Sequence, residues 1–202
     1  FEIKKMTNAI KIIVKGLLPF YKQFNCLTKS KVPFTYKDLI LYKLFGRKVY
    51  WYKHKNCIVA NSHKIFVGLN CFVGRPGSYI QGAGGVFIGN YVQFGPNVGI
   101  LSANHDLYDQ NKYNVAPIKI GDYSWIGMNC VVTAGVELGT RTIVGAGSVV
   151  TKSFPEGYCV IAGNPAKIIK HLDKDKFVPW HFEEEYYGII PKEKFESVRK
   201  KY

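Results

Sequence analysis

Acidic residues are scarce in this chain. Only 14 Asp and Glu stand against 28 Lys and Arg among 202 residues, giving a formal net charge of +14. That shortage points to an anionic partner, such as a phosphorylated cofactor, an acidic sugar polymer, a membrane surface or nucleic acid, without choosing among them. No run of about 18 apolar residues occurs, which counts against a spanning helix. The five cysteines (Cys26, Cys57, Cys71, Cys130 and Cys159) are odd in number and form no Cys-x-x-Cys. Neither a disulfide framework nor a zinc ribbon is indicated, and such scattered, apolar-flanked thiols suit small core positions in a reducing cytosol. No secretory-signal pattern opens the sequence at Phe1, so a cytoplasmic chain is expected. No linker rich in Pro, Gly or Ser divides it. With 47% hydrophobic and 15% aromatic residues the composition is globular, and it reads as one core with two flanking extensions.

The core, residues 58–170, is repetitive. Ile120, Ile126, Val132, Leu138, Val144 and Val150 follow one another at intervals of six. Gly often comes next, as at Gly121, Gly127, Gly139 and Gly145. The same period appears earlier at Val67 and Val73, and resumes at Ile88, Phe94 and Ile100. Smaller residues, such as Ser124, Cys130, Thr142 and Ser148, recur four places after an aliphatic. Six matches neither a helical period nor simple strand alternation. It matches a triangular solenoid, in which each hexapeptide makes one flat strand and one corner. Three hexapeptides close a coil, the aliphatic and the small residue point inward, and Gly is expected to provide the backbone freedom the corner needs. A Gly-rich β-sandwich is the competing reading, and six registers without a slip count against it. The period breaks once. After Ile100 the next aliphatic arrives only at Ile120, so residues 101–117 form an inserted loop, Leu101-Ser-Ala-Asn-His-Asp onward, with His105 at its root. A loop thrown out of a rigid solenoid is where a site would be mounted.

The run from Ile120 to Val136, the Val144-Gly-Ala-Gly-Ser-Val-Val-Thr-Lys152 segment and the Ala162-Gly-Asn-Pro-Ala-Lys167 exit resemble the hexapeptide-repeat acyltransferases. Within them the chain looks most like the sugar and polysaccharide O-acetyltransferases, the branch with the maltose and xenobiotic acetyltransferases. The resemblance implies an all-β left-handed parallel β-helix and a homotrimer with acetyl-CoA bound between neighbouring helices. It also implies that His105 is the general base that takes a proton from an acceptor hydroxyl, a task suited to an imidazole. By the same resemblance the Met128 amide meets the thioester end of CoA and the Ala146 amide grips its pantetheine arm. Thr151 and Lys152 lie nearer the adenine and phosphates, and Lys167 is a basic residue near those phosphates. Asn104 and Trp125 fall beside the acceptor.

Two positions depart from the maltose-type pattern. Where that branch carries a Glu to orient the histidine, this chain has Tyr113, so Asp106, Asp109 or a backbone carbonyl must serve; Asp106 is the candidate taken forward. Where it carries an acceptor-binding Asn, this chain has Arg75, which suits an acidic sugar or sugar phosphate. Maltose-like acceptors are thereby disfavoured, and the loop looks closer to capsule, exopolysaccharide and lipopolysaccharide acetyltransferases. The alternatives are N-acetylation of an amino sugar or sugar nucleotide on the same scaffold, and a non-catalytic solenoid scaffold. No metal site is expected, because His54, His63, His171 and His181 show no ligand spacing. The flanks, residues 1–57 and 171–202, read as an N-terminal arm or cap and a partly helical C-terminal tail. Residues 8–24 mix apolar residues with Lys11, Lys15 and Lys22, as expected of an arm that covers the open end of the solenoid. A basic amphipathic arm can also make peripheral contact with an anionic membrane, which sets the inner membrane face beside the cytoplasm as a location. No nucleic-acid signature accompanies the lysines.

Overall fold

The computed structural model describes residues 49–198; Cys26 and the rest of the arm before residue 49 lie outside them. Three parallel strand faces make the walls of a left-handed solenoid of about five coils. Face one stacks β1 (Ile58–Ala60), β3 (Tyr79–Gln81), β6 (Gly99–Leu101), β11 (Val131–Val132) and β14 (Val149–Val150). Face two stacks β5 (Gln93–Phe94), β10 (Trp125–Ile126), β13 (Thr142–Val144) and β15 (Cys159–Gly163). It ends on the antiparallel β16 (Ala166–His171). Face three stacks β2 (Ile65–Val67), β4 (Val86–Ile88), β9 (Ile118–Ile120) and β12 (Glu137–Leu138). Stacked partners in the later coils are 18 residues apart, as Thr142 and Ser124 show. Across the insertion the step is 32, as between Asn97 and Asn129.

The six-residue aliphatics are the core. Ile100, Ile126, Val132 and Val150 are fully buried, and Ile120, Leu138 and Val144 nearly so. Ser124, Cys130, Thr142 and Ser148 share that interior and turn their polar atoms to corner carbonyls, for example Ser148 Oγ to Gly145 O at 2.6 Å. Such bonds remove the cost of burying a hydroxyl. Cys71 and Cys130 do likewise, donating to Gly89 O at 2.9 Å and Gly145 O at 3.0 Å. Burial pushes the Cys71 thiol up to about 12, so it stays protonated as a small core residue.

The glycines work differently from expectation. Gly121, Gly127 and Gly139 are not the left-handed residues. That conformation falls on Tyr91, Asn97, Tyr123, Asn129 and Arg141, with φ between 57° and 59°, and on the corner glycines Gly77, Gly135 and Gly147, with φ of 72°, 80° and 72°. The glycines are needed because coils touch there: a Cβ on Gly139 would lie 2.1 Å from Pro155 O and 2.5 Å from Gly157 N. Both are backbone atoms with no side chain to swing aside. Gly139→Ala is therefore expected to part the last two coils and lower Tm by several degrees, about 2–4 °C per kcal/mol at this size, as read by calorimetry.

The solenoid also starts earlier than residue 58. Lys53 bridges Gly74, and Val49, Tyr50 and Trp51 are buried. The tail is mostly extended, with a short hairpin, β17 (Tyr186–Tyr187) and β18 (Ile190–Pro191), before helix α1 (Lys192–Val198). It runs back down the corner between faces three and two. Phe177 and Trp180 pack edge-on against Tyr123, Trp180 and His181 against Tyr91, and Tyr186 N donates to Asn70 Oδ1 at 2.9 Å. Phe195 of α1 is stacked on Tyr187 at 3.8 Å and meets Tyr50 of the first coil edge-on.

Candidate active site

The inserted loop is an antiparallel hairpin rather than an irregular excursion. β7 (Ala103–His105) pairs with β8 (Tyr113–Val115), so that His105 stands opposite Tyr113. Its root is fixed by the buried Ser102, whose Oγ donates to Gln81 O at 2.6 Å and accepts from Gly84 N at 2.9 Å. The hairpin leaves the corner between faces one and three and carries His105 out to solvent.

His105 Nδ1 lies 2.9 Å from the Gln110 carbonyl oxygen. A carbonyl only accepts, so Nδ1 carries the proton and Nε2 is left with a lone pair. The ring rests on Tyr113 at 4.5 Å between centroids. The residue in the orienting carboxylate's place thus packs against the imidazole, and the backbone carbonyl orients it. Asp106, the carboxylate expected in that role, is engaged elsewhere. Its Oδ1 accepts from Tyr108 N at 2.9 Å and Asp109 N at 3.1 Å, and its Oδ2 from Asn114 Nδ2 at 3.3 Å. The reason is local: an Asp at the start of a tight turn satisfies the turn's amides first.

Those bonds hold the Asp106 carboxyl below the usual range, led by the Tyr108 amide. A depressed carboxylate stabilises the folded turn above the unfolded aspartate pKa of about 3.9, and the contribution fades as pH falls through the lower folded value. Amide exchange at Tyr108 and Asp109, relative to the solenoid, is expected to accelerate below about pH 4 in the wild type. In Asp106→Ala it should be fast at every pH.

Met128 and Ala146 occupy stacked positions at the corner between faces two and one, where Gly147 N donates to Met128 O at 2.9 Å. Among the described residues neither the Met128 nor the Ala146 amide has a protein acceptor. Trp125, Met128, Ile143 and Ala146 line an apolar pocket of about 370 Å3 beside them. Lys167 is exposed on β16, one layer above, and Thr151 and Lys152 follow β14 at the far end of face one, also exposed. Arg75 sits at the second-coil level of the Met128 corner, its guanidinium 4.1 Å from the Phe72 ring. Its Nε is buried with no partner. Asn104 is exposed on β7 opposite Asn114. Within one chain, then, the His105 hairpin and the Met128–Ala146 corner stand at opposite ends of face one. At roughly 3.3 Å per residue a whole strand separates them.

The bacterial transferase hexapeptide (six repeats) family model matches residues 117–152. Those residues are hexapeptide repeats of the bacterial transferase type. The galactoside O-acetyltransferase of Escherichia coli K12 is 38% identical over 96 residues, 45% of this chain and 47% of that protein. The chain spans about half the length of the curated relatives it matches. Among solved structures, a maltose O-acetyltransferase from Clostridium difficile 630 is 27% identical with a TM-score of 0.55, over 80% of this chain and 91% of that one. A hexapeptide-repeat acetyltransferase of Vibrio cholerae, complexed with acetyl-CoA, is 25% identical with a TM-score of 0.57, over 76% and 87%. The hexapeptide segment therefore carries the solenoid of known acetyltransferases.

A backbone carbonyl stands among the partners the sequence offers for His105, but the sequence does not single out that of Gln110, nor the ring of Tyr113. A main-chain acceptor leaves no mark on residue type, and Tyr113 registers only as a missing Glu.

Proposed function

We propose that the chain is an acetyl-CoA-dependent O-acetyltransferase that acts on a sugar hydroxyl, in capsule, exopolysaccharide or lipopolysaccharide synthesis, with His105 as general base. The observation that carries this reading is the Gln110 carbonyl on His105 Nδ1, which leaves an exposed Nε2 lone pair at the loop root. In the proposed reaction Nε2 takes the hydroxyl proton and the oxygen attacks the thioester carbonyl. A tetrahedral oxyanion forms, held by a preorganised backbone N–H. Collapse breaks the C–S bond, and the imidazolium returns its proton to the departing thiolate, giving the acetyl ester and CoA.

The free amides of Met128 and Ala146 suit the amide-bearing arm of CoA, and exposed Lys152 and Lys167 suit its phosphates as point charges. Arg75 and Asn104 fall to the acceptor, with Trp125 as a wall. Because one chain sets its base and its donor corner a face apart, the complete site calls for a second copy. The homotrimer supplies that copy when the hairpin of one chain meets the Met128 corner of the next. Among the described residues no helix is long and apolar enough to cross a membrane. The proposed location is the cytoplasm or the inner membrane face, where such acceptors are assembled.

The test is CoA release from acetyl-CoA with a panel of neutral, acidic and amino sugars. Release confined to one hydroxyl class supports the reading and names the acceptor. Preference for an amino group moves it to N-acetylation. No CoA binding at all returns the chain to a scaffold.

A further inference from the structure

A second concavity lies away from both the His105 hairpin and the Met128 corner. It is a cleft of about 500 Å3 where the far end of β16 and the start of the tail cross the corner between faces three and two. Arg141, Lys170 and Lys176 supply its charge, with His171 beside them. The acid in its lining is Asp173, already paired with Lys176 at 3.3 Å. Arg141 has no carboxylate partner among the described residues. It is half-buried, fixed at a left-handed corner, and its guanidinium carbon lies over the Phe177 ring, 5.3 Å from the centroid. A guanidinium placed beside a ring with no carboxylate of its own keeps N–H donors for a carboxylate fork.

The walls decide the kind of anion. Phe177 carries Arg141 and meets Tyr123 and Tyr158 edge-on, and Tyr158 carries the Lys174 ammonium at 5.2 Å, so both rings of the lining are already engaged with protein groups. What remains is aliphatic, Leu172 and Val178, beside one carboxylate and a histidine that can meet hydroxyls. Cations for a carboxylate, polar groups for hydroxyls and apolar walls for C–H faces together match an acidic sugar unit.

We propose that this cleft is a non-catalytic binding site for an acidic sugar unit of a polymeric acceptor, holding the chain while another unit reaches His105. This rests on the sugar acetyltransferase reading for its purpose but not for its chemistry, so binding and turnover are measured separately on the full chain. By calorimetry, a uronate-containing hexasaccharide or a sialic acid hexamer is expected to bind the wild type. A neutral hexasaccharide should not. Arg141→Gln and Lys170→Ser should each weaken acidic binding about tenfold, as for loss of a charge-assisted hydrogen bond. CoA affinity should stay unchanged.

In turnover, Arg141→Gln should raise KM for the polymer and leave kcat, and KM for a single sugar, alone. No binding of either acidic chain overturns the proposal. So does binding that ignores Arg141→Gln, or that falls instead with Lys152→Ser and Lys167→Ser. Inorganic pyrophosphate bound through Arg141 as tightly as the hexasaccharide would make the cleft a small-phosphate site and also overturn it. Arg141-dependent glycan binding without acetylation of any acceptor would leave the cleft standing and remove the proposed activity.

Discussion

His105→Ala is expected to lower turnover about 10²–10⁴-fold, the usual loss for a general base, with CoA affinity unchanged. The separation follows from the geometry. His105 stands on a hairpin a full face from the Met128 and Ala146 amides of its own chain, and in the proposed trimer it serves the acceptor hydroxyl at the next chain's corner, where CoA is held by backbone amides and lysines that its truncation leaves in place. Removing the ring also frees the Gln110 carbonyl, which is exposed and can turn to water. The loop should therefore survive, and a circular dichroism melt should superimpose on the wild type. Equal rates for mutant and wild type, on an acceptor the wild type turns over, would remove His105 from the reaction.

The second large effect is on stability. Ile100 is fully buried, between Ile80 and Val132 in the strands stacked on either side. Ile100→Ala leaves a cavity that rigid strand faces cannot close, for a loss of about 2–5 kcal/mol. At about 2–4 °C per kcal/mol that is a fall of roughly 4–20 °C in Tm. Ile100→Val, with one methylene removed, should cost only about 0.5–1.5 kcal/mol. A graded response places the stability in interior packing. Similar melting for both variants would mean that the coil collapses around the gap. Because the hairpin leaves the same strand two residues later, turnover at a temperature where the alanine variant is folded reports whether its root has moved.

The solenoid was legible because its constraint is periodic and side-chain based. Every sixth aliphatic from Ile120 to Val150 is in the core, and the small residues between them share it. The glycines that directly follow the aliphatics pointed to the right places for a different reason. The left-handed corner fell to Asn, Tyr and Arg as well as to Gly77, Gly135 and Gly147, while the Gly after an aliphatic marked where one coil presses on the next. The loop was visible as a missing beat, yet its strand pairing was not: Asn104-His105 and Tyr113-Asn114 have no alternation to read. Asp106 was named from proximity in sequence, and an Asp that opens a turn is claimed by the turn's amides. Arg141 escaped notice because nothing in the Thr140-Arg141-Thr142 corner announces the tail that will cross it. Long-range contacts of that kind are the part of a fold that local pattern does not encode.

The course of the tail changes how the whole molecule holds together. In most coiled ribbons each turn knows only its neighbours, and the ends fray independently. Here the bond from Asn70 to Glu184 spans 114 residues, and α1 closes on the ring of Tyr50. First and last turns are thus fastened to one strand of chain, and neither can unwind without undoing the fastening. Unfolding is thereby expected to be a single event rather than a progressive one, read as coincident loss of first-coil and last-coil amide protection in hydrogen exchange. During synthesis the order is fixed as well: the coils can wind as they emerge, but the clasp shuts only after residues 186–198 have been made.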